Sequence, residues 1–176
     1  MGKLIFITGG SRSGKSSLAV KMASAMRMKK IFFATCIPKD KEMKERVKLH
    51  RENRPSSWRT VETRGNLVSL LEREARCAAV IILDCLTLFV SGLLMRKARE
   101  AAIKSEVIRI AGAAKKGKAT VIVVSNEVGC GLVPPNKLGR DFRDIAGSCN
   151  QIVAKGADEV IYMVAGIPLK IKGVRR

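Results

Sequence analysis

The chain has 176 residues, a formal net charge of +19 and a hydrophobic content of 47%. This length is typical of one domain with its own core, and no stretch approaches the roughly 18 consecutive apolar residues of a membrane span. We therefore expect a single soluble domain over residues 1–176, with no signal peptide and no membrane span. The positive charge attracts phosphate groups, but too few aromatic residues are present to form a stacking surface for single-stranded bases.

Five cysteines are widely spaced along the chain: Cys36, Cys77, Cys85, Cys130 and Cys149. No two of them form a C-x-x-C pair and only one histidine accompanies them, so a zinc site is not expected. We expect reduced, mostly buried thiols, which are typical of a cytoplasmic protein.

The first part of the chain predicts strands that alternate with helices. Residues 3–9 form a short apolar run that ends in glycine, as in a buried parallel strand, and the apolar spacing of residues 14–28 predicts a helix. A second buried strand is predicted over residues 31–36. A charged helix is predicted over residues 39–53 and is ended by Pro55.

The second part of the chain continues this alternation. The predicted helices cover residues 65–76, 86–95 and 98–115, and a further helix carries Leu138, Phe142, Ile145, Cys149 and Ile152 on one face. The predicted strands cover residues 79–84 and 119–126, and two more strands near the carboxyl terminus are joined by a turn at residues 166–168. The pattern predicts an α/β fold, with a mostly parallel sheet covered by helices on both faces and a β-hairpin-like end.

The segment GGSRSGKS at residues 9–16 matches the phosphate-loop motif G-x-x-x-x-G-K-[ST]. It lies between a predicted strand and a predicted helix, where backbone N–H groups and the helix amino terminus bind phosphate oxygens. Lys15 is expected to reach the β and γ phosphates, and the Ser16 hydroxyl to ligate Mg²⁺. The motif predicts a P-loop NTPase-type domain that binds a nucleoside triphosphate. The alternative is a glycine turn that only connects the strand to the helix.

A carboxylate near the phosphate loop is needed to help bind Mg²⁺. Asp84 ends the apolar run AVIILD and is the candidate, although such a residue can also cap the helix that follows. A regulatory GTPase is excluded, because NKLG at 136–139 lacks the aspartate of the guanine motif and precedes DIAG at 144–147.

His50 is the only histidine of the chain. In the predicted charged helix it would share an apolar face with Met43 and Val47, which favours a core residue. The neighbouring cations Arg51 and Arg54 favour a neutral imidazole, whose lone pair can attack the phosphorus of a bound triphosphate. From the residues alone both interpretations stay open.

Five segments together resemble the bifunctional adenosylcobinamide kinase / adenosylcobinamide-phosphate guanylyltransferase family of cobalamin biosynthesis. They are TGGSRSGKS, ATC, HRENRPSSWRTVE, IILDCLT and VSNEVGCGLVPPNKLGRDFRDIAGSCNQIVAKGADEV. The resemblance implies that an NTP phosphorylates the aminopropanol hydroxyl of adenosylcobinamide. GTP then gives GMP to a histidine, which passes it to adenosylcobinamide phosphate to make adenosylcobinamide-GDP. It further implies that His50 carries the GMP and that the protein is a homotrimer.

The resemblance also implies which residues bind the guanine nucleotide. They are Gly9, Gly10, Ser11, Arg12, Ser13, Gly14, Lys15, Ser16, Ala34, Thr35, Cys36, Arg51, Glu52, Asn53, Arg54, Glu62 and Asp84. Glu62 is alternatively a surface carboxylate. The loop after the fourth strand and the helix that follows hold further candidates without assigned roles: Asn126, Glu127, Arg140, Arg143 and Asp144. Arg140 and Asp144 alternatively form an i, i+4 ion pair.

Two other functions are compatible with the same motifs. One is a small-molecule kinase that uses the phosphate loop but never modifies His50. The other is a nucleic-acid-binding ATPase that uses the cationic surface, although such motors usually need a longer chain. The sequence does not distinguish ATP from GTP in the phosphorylation step.

Overall fold

The computed structural model describes residues 1–35, 45, 55–63, 66–77 and 79–173. The strands in these ranges are β1 Lys3–Gly9, β2 Lys29–Ala34, β3 Arg59–Glu62, β4 Ala79–Asp84, β5 Thr120–Val124, β6 Glu159–Val164 and β7 Ile167–Lys172. The helices are α1 Lys15–Ser24, α2 Leu67–Glu74, α3 Leu86–Met95, α4 Glu100–Lys116 and α5 Lys137–Gly156.

The strands form one sheet in the order β3-β2-β4-β5-β1-β6-β7. The pairs from β3 to β6 are parallel, and β7 returns antiparallel to β6. Ala165 and Gly166 make the tight turn between β6 and β7 with φ angles of 48° and 84°. The predicted α/β fold with a mostly parallel sheet and a terminal hairpin is confirmed.

Apolar side chains leave the central strands on both faces, because neighbouring residues of a strand point to opposite sides. On β1, Leu4 and Phe6 pack in the core under α2 to α5, and Ile5 and Ile7 pack in the core that contains α1. Each large side chain buried in this way contributes about 1.5–3 kcal/mol to stability. The sheet is thereby held rigid, and the loops at the carboxyl ends of its strands start from fixed positions.

Helix α1 ends earlier than predicted, β2 begins earlier than predicted, and one strand was not predicted. Helix α1 stops at Ser24. Strand β2 begins at Lys29 because the pairing of Lys29 with Ala79 of β4 extends the sheet into polar residues. Strand β3 has four residues, none of them buried, so it lacks the apolar run that would reveal it. It forms through its backbone pairing with β2.

The helix predicted over residues 39–53 lies outside the described residues, apart from Glu45. The further helix predicted to carry an apolar face is α5. On it, Ile145 and Cys149 are buried, whereas Leu138 is 51% exposed. Leu138 is exposed because the whole first turn of α5 is at least partly exposed.

The expectation of mostly buried thiols holds for only some of the cysteines. Cys85 and Cys149 are buried, whereas Cys77 and Cys130 are exposed, and Cys36 lies outside the described residues. Burial raises the pKa of the Cys85 thiol to about 12. In the described part of the chain, no helix combines the length and apolarity needed to cross a membrane.

Candidate functional site

The phosphate loop begins where β1 ends and closes where α1 begins. Gly9 and Gly14 adopt φ angles of 147° and 90°, in the region that favours glycine. A Cβ at Gly9 would also lie 2.4 Å from the carbonyl oxygen of Met163 on β6. No side chain caps the amino terminus of α1, whose N-cap is Gly14. The free N–H groups of its first turn therefore form a site for phosphate oxygens.

Lys15 lies against its own loop and is only 7% exposed. Its Nζ donates a hydrogen bond to the carbonyl oxygen of Gly10 at 2.5 Å and lies 3.4 Å from Oγ of Ser13. Burial lowers the pKa of Lys15, while the carboxylate of Asp84 acts in the opposite direction. The amine is thus already positioned within the loop, where a phosphate oxygen can replace the Gly10 carbonyl as its partner.

Asp84 is the last residue of β4 and lies at the same edge of the sheet. The register pairs Asp84 with Val124 of β5, and Val124 in turn with Ile7 of β1, two residues before the phosphate loop. The N-cap of α3 is Cys85, and no side chain caps that helix. The alternative role of Asp84 as a helix cap is therefore wrong, and its carboxylate lies close enough to Lys15 to interact with it electrostatically.

Thr35 holds the backbone that follows Asp84. Its N–H donates to the carbonyl oxygen of Asp84 at 3.3 Å. Its Oγ1 donates to the carbonyl oxygen of Cys85 and accepts from the Cys85 N–H, both at 2.7 Å. The hydroxyl predicted to contact the nucleotide is thus engaged with the backbone, and it positions the end of β4.

The residues suit Mg²⁺ by their chemistry. Ser16, in the first turn of α1, provides a hydroxyl oxygen, and Asp84 provides carboxylate oxygens within electrostatic range of the buried amine of Lys15. Within the described ranges, no group of three or more His, Cys, Asp and Glu side chains surrounds a common point. In nucleotide sites Mg²⁺ usually binds one or two carboxylates together with waters and phosphate oxygens.

A buried polar network fixes the end of β5. Ser125 Oγ lies 3.0 Å from Oγ1 of Thr87 and donates to Oδ1 of Asn150 at 2.7 Å. The Asn126 N–H donates to Oγ1 of Thr87 at 2.7 Å, and Asn150 Nδ2 donates to the Asn126 carbonyl at 3.1 Å. Next along the chain, the Glu127 N–H donates to the Gly9 carbonyl at 2.9 Å.

Sequence reasoning placed Asn126 and Glu127 near the site but missed Thr87, Ser125 and Asn150. The available signal was Asn150 itself, a polar residue that directly follows Cys149 of the apolar stripe on α5. Its 7% exposure shows that this amide belongs to the core. A buried amide requires partners, which here are the hydroxyl and carbonyl groups at the end of β5.

The sheet brings most of the predicted nucleotide-binding residues to one edge. Residues 9–16, Ala34, Thr35 and Asp84 follow or end adjacent strands, and Glu62 pairs with Ala34 at the end of β3. The remaining candidates lie outside the described residues: Cys36, His50, Arg51, Glu52, Asn53 and Arg54.

The arginines after the β5 loop have partners other than those expected. Nη1 of Arg140 donates to the carbonyl oxygens of Pro134 and Pro135 at 3.1 and 2.7 Å. Asp144 instead accepts from Nε of Arg143 at 3.1 Å. The alternative of an i, i+4 ion pair between Arg140 and Asp144 is therefore wrong.

One known protein family matches nearly the whole chain. The family model described as cobinamide kinase / cobinamide phosphate guanyltransferase matches residues 5–171. The chain belongs to this family. It is 39% identical over 181 residues to the bifunctional adenosylcobalamin biosynthesis protein CobU of Escherichia coli K12, covering 96% of this chain and 99% of the relative.

Two further relatives extend the similarity. The Salmonella typhimurium CobU protein is also 39% identical over 181 residues, covering 96% of this chain and 99% of its own. The bifunctional adenosylcobalamin biosynthesis protein CobP of Pseudomonas aeruginosa is 36% identical, over 95% of this chain and 96% of its own. Among solved structures, a Pyrococcus horikoshii OT3 protein shares the fold with a TM-score of 0.59. It covers 99% of this chain and 88% of its own at 6% identity, so it supports the fold alone.

Proposed function

We propose that this family member uses one phosphate loop for both of its reactions, and that His50 holds GMP between GTP and adenosylcobinamide phosphate. The family supplies the two activities, cobinamide kinase and cobinamide phosphate guanyltransferase. The observation that carries the proposal is the buried Lys15 of the phosphate loop, which lies within electrostatic range of Asp84. This arrangement suits transfer from a triphosphate, because a cation and a carboxylate lie near the place where phosphates bind.

Residues 9–16 bind the phosphates through the loop amides and the amine of Lys15. Ser16 and Asp84 would hold Mg²⁺, which supplies charge neutralisation for the phosphate oxygens. The proposed nucleotide site is completed by the residues at the carboxyl ends of β2, β3 and β4 and by Cys36 and Arg51 to Arg54.

In the kinase step the aminopropanol oxygen attacks the γ phosphorus of ATP or GTP. The nucleoside diphosphate leaves, and the alcohol proton passes to water.

In the transferase step the neutral imidazole of His50 attacks the α phosphorus of GTP. An N–P bond forms while the bond from that phosphorus to the bridging oxygen breaks, and pyrophosphate leaves with the electron pair. Lys15 and the loop amides stabilise the leaving charge. A phosphate oxygen of adenosylcobinamide phosphate then attacks the same phosphorus, the N–P bond breaks, and adenosylcobinamide-GDP forms.

The proposal also includes one domain over residues 1–176, a homotrimer and a cytoplasmic location, without nucleic-acid partners. The edge strand β7 supports assembly, since Ile167, Leu169 and Ile171 are 69%, 56% and 60% exposed. Apolar side chains on a strand that is the last of the sheet among the described residues favour contact with another chain. Light scattering at several protein concentrations tests the trimer, and a monomer throughout would exclude it.

The experiment that tests the histidine step uses GTP labelled at the α phosphate. After incubation with Mg²⁺ and denaturation, the protein should retain label that acid releases and base does not, as expected for an N–P bond. GTP labelled at the γ phosphate is the control and should leave no label. A kinase that does not modify His50 would retain neither label, and a nucleic-acid-dependent ATPase would instead hydrolyse nucleotide faster when polynucleotide is added.

A further inference from the structure

The loop between β5 and α5, residues 125–136, leaves the sheet beside the phosphate loop. Its Glu127 N–H donates to the carbonyl oxygen of Gly9, where the phosphate loop starts. The five residue-to-residue steps from Glu127 to Leu132 span at most about 18 Å when fully extended. The outer part of this loop therefore lies within reach of a large substrate whose reacting end is at the phosphate loop.

Both stems of the loop are fixed by hydrogen bonds. At its start, the network of Thr87, Ser125 and Asn150 holds the backbone of Asn126. The Asn126 N–H donates to Thr87, and the Asn126 carbonyl accepts from Asn150. At its end, Arg140 binds the carbonyl oxygens of Pro134 and Pro135. Oδ1 of Asn136 caps α5 by accepting from the Gly139 N–H at 2.7 Å.

Between the fixed stems, the loop presents apolar side chains to solvent. Leu132 is 96% exposed and Val133 is 65% exposed. Adjacent apolar side chains on an anchored loop form a surface to which an apolar ligand binds favourably, because binding removes these side chains from water. Covering each side chain is worth about 1.5–3 kcal/mol, or at least tenfold in affinity.

We propose that Leu132 and Val133 bind the apolar surface of the corrin macrocycle, while its aminopropanol arm extends to the phosphate loop. This inference deepens the proposed function and rests on it for the position of the reacting arm. The macrocycle is the part of either corrinoid substrate that is too large for the phosphate loop and carries apolar methyl groups. A nucleotide has no comparable apolar part, so the surface selects the corrinoid and not GTP.

The test is the double variant Leu132→Ser/Val133→Ser. The KM for adenosylcobinamide in the kinase step and for adenosylcobinamide phosphate in the transferase step should each rise about tenfold or more. The half-reaction with GTP alone, which contains no corrinoid, should keep its rate. The control Ile108→Ser removes an equally apolar side chain, 58% exposed on α4, and should change neither KM.

Three results would overturn the inference. They are an unchanged KM for both corrinoids, an equal rise in the KM for GTP, and a changed oligomeric state, which would make the surface an interface between copies. Direct binding of adenosylcobinamide, followed by its visible absorbance in equilibrium dialysis, gives a second measurement and should weaken by the same factor. If only the histidine proposal fails, the result is different. The wild-type protein then carries no GMP, while the KM for adenosylcobinamide in the kinase step still rises in the double variant.

Discussion

The hydroxyl of Thr35 and the backbone of Cys85 exchange two hydrogen bonds of 2.7 Å, although the residues lie 50 positions apart. Both residues are at least nine-tenths buried, so water cannot replace either bond. This pair joins the end of β2 to the residue that follows Asp84. It therefore holds the end of β4, which carries Asp84, against the end of β2.

Thr35→Val keeps the shape of the side chain and removes both hydrogen bonds. We expect a loss of about 2–4 kcal/mol in the free energy of unfolding, because a buried N–H and a buried carbonyl lose their partners. Urea denaturation measures this loss. Thr35→Ser retains the hydroxyl and should recover most of the stability and the nucleotide KM. Equal losses in the two variants would contradict the role of the hydroxyl.

Lys15→Ala and His50→Ala should separate the two reactions. Loss of Lys15 removes the amine that stabilises phosphate charge in both steps, so both rates should fall by at least a hundredfold. Loss of His50 should abolish covalent GMP transfer and leave phosphorylation of adenosylcobinamide within a fewfold of its normal rate. Parallel assays of the two steps check this, and equal loss of both in His50→Ala would assign the histidine to binding.

Asn150→Ala should destabilise the end of β5. The change leaves the Ser125 hydroxyl and the Asn126 carbonyl without their amide partner, at a cost of about 1–3 kcal/mol each. Thermal unfolding measures the effect. Gln151→Ala, at an exposed position of the same helix, is the matched control and should change stability by no more than about 0.5 kcal/mol. Similar shifts in both variants would show that the network contributes little.

Asp158 should contribute to stability in a pH-dependent way. Burial acts to raise its pKa, but hydrogen bonds from Lys115 and from the Leu4 N–H outweigh it and hold the pKa below the ordinary value. This stability is fully present above the unfolded pKa of about 3.9 and is lost as pH falls through the lower folded pKa. Asp158→Asn should therefore flatten the acid limb of a plot of unfolding free energy against pH. An unchanged acid limb would contradict this.

The rate of self-guanylylation should fall as pH drops through about 6 to 7, the usual range of imidazole titration. Only the neutral ring has a lone pair for attack, so protonation removes the nucleophile. Single-turnover rates with labelled GTP give the profile. A rate that stays flat from about pH 5 to 8 would contradict attack by His50.

Local patterns predicted the part of the site that depends on local geometry. The phosphate loop follows from glycines and a lysine within eight residues, and Asp84 follows from its position at the end of an apolar strand. Helical periodicity placed Leu138 on the apolar face of α5, but it carries no information on where the cover by neighbouring elements ends.

The residues that support the site were not predictable in the same way. The bonds between Thr35 and Cys85 and those of Asn150 join segments that are distant in the sequence. Such contacts exist only once the sheet has brought the ends of its strands together. Strand β3 was missed for a related reason, since it is specified by pairing with β2 and not by its own side chains.

The most direct test of the account is to find where GMP is attached. The protein is incubated with GTP and Mg²⁺, digested at alkaline pH to preserve an N–P bond, and its peptides are analysed by mass spectrometry. We predict one guanylyl group per chain, on the imidazole of His50. Guanylylation of any other residue, or an unmodified protein that still produces adenosylcobinamide-GDP, would contradict the account.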